Sequence, residues 1–185
     1  MDEITLRDYQ SKGVDDVARL SSKGVRRIIF QLATGGGKTV VFSALAQRFI
    51  SRIDKKVFIC VHRHELLEQT VNALKKVAGI NAGLLIAEYK TICQKVGDLY
   101  IPFNNAQVVV CMIETLNNRI KKYSSLTDGV GMLIVDEVQL GNFVKIYSYF
   151  ETQLIVGFSA TPISENKKEA LKTIYGIGAD GTKDT

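Results

Sequence analysis

The chain has 185 residues, 46% hydrophobic and 23% charged, with a formal net charge of +5. That is the composition of one soluble globular domain with a substantial core, and its basic lean permits an anionic partner. No apolar run approaches the length of a membrane span, and the acidic start Met1-Asp2-Glu3 is unlike a secretory signal, so membrane-spanning and secreted classes are set aside. Cys60, Cys93 and Cys111 are odd in number and lack metal-site spacing. Cys60 and Cys111 lie in apolar runs and are expected as buried, reduced thiols, which fits a cytoplasmic setting.

In chain order, the pattern predicts a helix over 8–20, a strand over 28–31, a helix over 38–50, a strand over 57–61 and a helix over 65–77. A strand follows at 82–86. The segment 88–105 is expected to hold a short helix and then a loop. Next come a strand at 108–112, a helix at 113–121, strands at 132–136 and 154–158, and a helix at 167–173. Residues 176–185 are glycine-rich and polar, and are expected as a frayed end or linker stub. Only Pro102 and Pro162 occur, so no Pro-rich linker divides the chain. Apolar runs alternating with amphipathic segments predict an α/β fold, with a mainly parallel sheet and helices on both faces.

Between the first strand and the second helix stands Leu32-Ala33-Thr34-Gly35-Gly36-Gly37-Lys38-Thr39. Strand, glycine turn and helix in that order form a polyphosphate cradle. Glycines admit positive φ and close approach, and their N–H groups join the helix N-terminus in an anion nest. Lys38 can then reach the terminal phosphates and Thr39 can offer its hydroxyl to Mg²⁺. Leu32 stands where the strict pattern has its first glycine, so a plain glycine-rich turn is the competing reading.

Leu133-Ile134-Val135-Asp136-Glu137 ends an apolar strand in two carboxylates. At that sheet edge Asp136 can hold a metal and Glu137 can orient and deprotonate water. The bland alternative is an acidic helix cap. Gly157-Phe158-Ser159-Ala160-Thr161-Pro162 closes another apolar run, and alone it would read as a turn cluster.

Taken in order, Ala33–Thr39, Asp136-Glu137-Val138-Gln139 and Ser159-Ala160-Thr161-Pro162 resemble motifs I, II and III of the superfamily 2 helicases and translocases. The flavour is that of the DEAD/DEAH-like group that includes type III restriction subunits and phage or repair helicases. The resemblance runs from about Leu6 to Pro162 and implies a RecA-like P-loop NTPase domain over 1–175. It makes Thr34, Gly35, Gly36, Gly37, Lys38 and Thr39 the phosphate loop, Thr39 and Asp136 the Mg²⁺ ligands, and Lys38, Asp136 and Glu137 the catalytic set. Leu6-Arg7-Asp8-Tyr9-Gln10 looks like the element upstream of motif I. Gln10 is thus the adenine reader, with Arg7 beside the base, since one amide both donates to and accepts from adenine. Without the family, Gln10 would read as a solvated or capping residue. Val61 to Gln69 resembles motif Ia, which implies that Arg63 meets nucleic acid. Thr115, in an element near motif Ib, offers its hydroxyl either to the strand or to its own helix. His62 and His64 read as simple surface chemistry, and Arg119, Lys121 and Lys122 as a solvated helix face. Gln139 stands where the name-giving families have Asp or His, so Gln139, Ser159 and Thr161 form the expected coupling set.

The resemblance implies an ATP- and Mg²⁺-dependent motor acting on nucleic acid, with DNA favoured over RNA. Such motors have two RecA-like domains and bring an arginine finger from the second. With that domain expected to be absent from these residues, the chain is expected to be monomeric, to bind ATP and to hydrolyse it weakly. Arginine fingers contribute on the order of 10³–10⁵ in rate. A non-catalytic helicase relic and a different P-loop NTPase stay open as alternatives.

Overall fold

A computed structural model of the chain describes residues 5–33, 35–138 and 142–160. Thr34, Gln139, Thr161, Pro162, the helix expected at 167–173 and the 176–185 tail lie outside them. The elements are α1 (Asp8–Ser22), β1 (Arg27–Gln31), α2 (Lys38–Ile50), β2 (Lys56–Val61), α3 (His64–Ala78), β3 (Gly83–Leu85), β4 (Cys93–Val96), β5 (Leu99–Pro102), β6 (Val108–Met112), α4 (Ile113–Ile120), β7 (Val130–Val135) and β8 (Leu154–Ser159). Two 3-10 segments, Ser124–Thr127 and Asn142–Tyr149, precede β7 and β8.

The strands form one sheet in the order β1-β8-β7-β2-β6-β3-β4-β5. All pairings from β1 through β3 are parallel, and β4 and β5 add an antiparallel edge. Alternation within the strands decides which helix packs where. Val57, Ile59 and Val61 join a core with Val14, Phe42, Leu45, Leu67 and Leu74 from α1, α2 and α3. Phe58 and Cys60, one residue out of phase, join Ile113, Leu116 and Ile120 of α4 and Phe143 and Ile146 of the second 3-10 segment. Both faces of the central strands are therefore covered, which is why they read as unbroken apolar runs. Each such side chain, once buried, contributes roughly 1.5–3 kcal/mol.

Segment 88–105 differs from the expectation of a short helix and loop. It forms the β4–β5 hairpin, closed by Gly97-Asp98 with Val96 opposite Leu99. Gly97 takes φ +59° and Asp98 does not turn positive, the pattern of a two-residue II′ turn with glycine first. The Gly-Asp pair was the sequence signal for it.

Cys60 and Cys111 face each other across β2 and β6 with their Sγ atoms 3.5 Å apart, both free and buried. The hydrogen bond shared with Cys60, and then burial, push the Cys111 thiol well above the usual range.

Candidate nucleotide site

Sheet order brings the three motif strands side by side. β8 lies between β1 and β7, with Gln31 opposite Ser159 and Val135 opposite Gly157. The loop after β1, the carboxylates after β7 and the end of β8 therefore meet at one edge. Leu32 N–H donates to Ser159 O at 3.0 Å, carrying the β1–β8 pairing into the glycine loop. Phe158 stacks on Phe30 at 4.8 Å and meets Phe42 of α2 edge-on at 4.6 Å, which fixes α2 beneath that loop.

Gly37 caps α2 in the left-handed region, with φ +79° and ψ +39°. A side chain there would be strained, and its Cβ would lie 2.5 Å from Gln10 Nε2. Leu32 is 9% exposed and packs within the α1–α3 core, 2.9 Å from where a Cβ on Gly36 would stand. The residue that breaks the strict glycine pattern thus anchors the loop.

Lys38 reaches from the loop to the end of β7. Its Nζ lies 3.6 Å from Asp136 Oδ1 and forms a hydrogen-bonded ion pair with Glu137 Oε1. Asp136 is 9% exposed, and its N–H is held by Cys60 O at 2.9 Å. Among the described residues its Oδ1 is buried without a hydrogen-bond partner. Burial pushes its carboxyl above the ordinary range, Lys38 opposes that, and Glu137 adds to it. Glu137 has φ +49°, the one positive φ on a non-glycine among the described residues. A side chain held there stores about 1–2 kcal/mol, and such strain clusters at functional sites. These groups line a cleft of about 600 Å³ together with Gly35, Gly37, Thr39, Phe42, His62 and Arg63.

The chain is similar in sequence to known proteins over most of its length. Residues 3–164 match the family described as type III restriction enzyme, res subunit. The chain belongs to the res-subunit family. It is 33% identical over 171 residues to a protein of Saccharomyces cerevisiae named "Putative ATP-dependent helicase IRC3", a match covering 84% of this chain and 23% of that protein. The chain thus spans about a quarter of that relative's length. In fold it resembles the UvsW helicase of bacteriophage T4, with TM-score 0.68 and 20% identity, over 92% of this chain and 57% of that one. The helicase domain of Pyrococcus furiosus Hef gives TM-score 0.72 at 20% identity, over 92% and 36% of the two chains. The fold is thus that of the RecA-like helicase domains.

In this res-subunit domain the residues singled out from sequence fall into two groups. Gly35, Gly37, Lys38, Thr39, Arg63, Asp136 and Glu137 line one cleft. Ser159 is buried at the loop's start. Gln10 has its amide committed: Oε1 accepts Arg7 N–H at 3.0 Å, so it caps α1, and Nε2 donates to Gly36 O at 2.9 Å. Both hydrogen bonds are internal to the protein, and the residue is 4% exposed. The Arg7 side chain is exposed, 3.5 Å from the Tyr9 hydroxyl. Thr115 is 8% exposed in the first turn of α4, so it is buried and not on the surface.

Two further residues came to light only in three dimensions. The Tyr9 hydroxyl donates to Gly36 O at 3.0 Å. His62, read as surface chemistry, lines the cleft and has its Nδ1 buried without a partner among the described residues. Arg119, read as a solvated face, is engaged with the carbonyls of Ile86, Ala87, Tyr89 and Lys90.

Proposed function

We propose that this chain is the ATP-binding motor domain of a nucleic-acid helicase or translocase, coupling ATP hydrolysis to movement on or unwinding of DNA. The carrying observation is the placement of Lys38 between the glycine loop and the Asp136–Glu137 pair in one cleft. Relatives and structural neighbours named as helicases support the reading, and so does the likeness to a Sulfolobus solfataricus SWI2/SNF2 ATPase core solved with double-stranded DNA.

In this reading the glycine loop and the α2 N-terminus take the β- and γ-phosphates. The triphosphate competes with Asp136 and Glu137 for the Lys38 ammonium, freeing both carboxylates. Asp136, whose buried Oδ1 has no hydrogen-bond partner among the described residues, and Thr39, in the first turn of α2, would hold Mg²⁺. When bound, that ion neutralises charge developing on the phosphates. Glu137 orients the attacking water and receives its proton. Gln10 and Arg7 meet the adenine, and Ser159, Gln139 and Thr161 relay the phosphate state to the strand side. Arg63, exposed and lining the cleft, meets the nucleic-acid backbone, whereas Thr115 is too buried to reach it directly. A second RecA-like domain closes the cleft and brings the arginine finger. In this reading residues 1–175 are the domain, and 176–185 a tail or linker stub.

The test is calorimetric binding of Mg²⁺-ATP and Mg²⁺-GTP, followed by turnover with and without DNA. Expected outcomes are ATP preference over GTP, loss of binding in Lys38→Ala, and feeble hydrolysis. Equal binding of GTP, or unchanged binding in Lys38→Ala, would overturn the nucleotide reading. Brisk DNA-stimulated turnover by the 185-residue chain would overturn the need for a finger in trans.

A further inference from the structure

We propose that Tyr9 is a positioning residue for the phosphate loop, holding the Gly36–Gly37 peptide with its N–H turned into the cleft. The inference rests on the nucleotide-binding reading above. Tyr9 Oη donates to Gly36 O at 3.0 Å and Gln10 Nε2 donates to the same oxygen at 2.9 Å. A carbonyl oxygen has two lone pairs, and both are engaged. The described chain has no cis peptide, so C=O and N–H of this unit point in opposite directions. Drawing Gly36 O toward α1 therefore turns Gly37 N–H away from α1, toward the side where Gly35, Gly37 and Lys38 line the cleft. That N–H makes no backbone hydrogen bond among the described residues.

Three consecutive glycines make this peptide easy to flip, because glycine populates positive and negative φ alike. Gly35 and Gly37 already sit at φ +80° and +79°. A flip of the central peptide would present a carbonyl to phosphate, replacing attraction with repulsion. The hold must come from outside the loop, and α1 supplies it. Gln10 is buried, and its amide orientation is fixed because Oε1 already accepts Arg7 N–H. Tyr9 is 45% exposed, so its ring adds little to the core. Its hydroxyl provides the second tether. The effect should fall on phosphate binding and be indifferent to the base, whereas Gln10 serves both.

The experiment titrates the 185-residue chain with Mg²⁺-ATP and with Mg²⁺-tripolyphosphate, which has no base. In Tyr9→Phe both affinities should fall by the same factor, about fivefold, the worth of one neutral hydrogen bond. The melting temperature of the nucleotide-free chain should not change. In Gln10→Ala, ATP should weaken by more than tripolyphosphate. Tyr9→Phe binding both ligands like wild type would overturn the inference. So would weakened ATP with unchanged tripolyphosphate, which would make Tyr9 a base contact, or a lowered melting temperature, which would make its role structural. If the wild-type chain bound neither ligand, the nucleotide reading itself would fall, and this inference with it.

Discussion

Asp136 is a carboxylate placed where ionisation is unfavourable. It is buried, has Glu137 beside it, and has one oxygen without a hydrogen bond among the described residues, while Lys38 offsets part of the cost. Its raised pKa means that the folded chain holds this proton more tightly than the unfolded chain does. Between the ordinary carboxyl range and the raised value, the native state binds more protons, so stability falls as pH rises. The penalty is absent below the ordinary range and complete above the raised value. Asp136→Asn should therefore be more stable than wild type near neutrality in magnesium-free, nucleotide-free buffer. The advantage should fade as pH drops into the ordinary carboxyl range. Urea melts across pH check this; a neutral-pH advantage of zero, or one independent of pH, would contradict it. The placement of Lys38, Asp136 and Glu137 was legible because residue type and local spacing carry it. Tyr9 and His62 were not, because their partners, Gly36 and the cleft, are defined by folding and not by neighbours in sequence.

At the scale of elements, two arginines tie segments together through backbone oxygens. Arg27 at the start of β1 donates to the carbonyls of Phe150, Glu151 and Gln153 and lies over the Tyr147 ring at 4.8 Å, fixing the turn into β8. Arg119 of α4 holds the 86–90 turn, with Nη2 2.8 Å from Ile86 O and Nη1 3.1 Å from Lys90 O. A planar fork makes these contacts and an ammonium cannot reproduce them. Arg119→Lys should destabilise the chain by about 2 kcal/mol in urea, since hydrogen bonds from charged groups are worth roughly 1.5–3 kcal/mol. Nucleotide affinity should be unchanged. A loss below about 0.5 kcal/mol, the range of ordinary surface changes, would show the clamp to be idle. The parallel strands and all four described helices were foreseeable from periodicity, to within one or two residues for most ends. The β4–β5 hairpin was not, because its strands are short and carry exposed apolar side chains, Val96, Leu99 and Ile101, which blur any alternation.

At the scale of the whole molecule, a parallel sheet was predictable but its strand order was not. Composition and periodicity place each strand and say nothing of its neighbours. The insertion of β8 between β1 and β7 is what makes three distant motifs one site.

That order also has a consequence in time. Among the described residues β1 has β8 as its one neighbour in the sheet, and the Arg27–Gln153 hydrogen bond spans 126 residues. Closing so long a loop is entropically slow, and contacts of this kind form late. On a growing chain, the glycine loop leaves the ribosome early and waits for the strand that braces it. A chain stopped after Phe150 would still carry the loop, Lys38, Asp136 and Glu137, yet lack β8. It should show no measurable ATP binding by calorimetry, and retention of binding would mean that β1 can be seated without its partner. In the proposed reading, synthesis would delay a nucleotide grip until β8 has emerged.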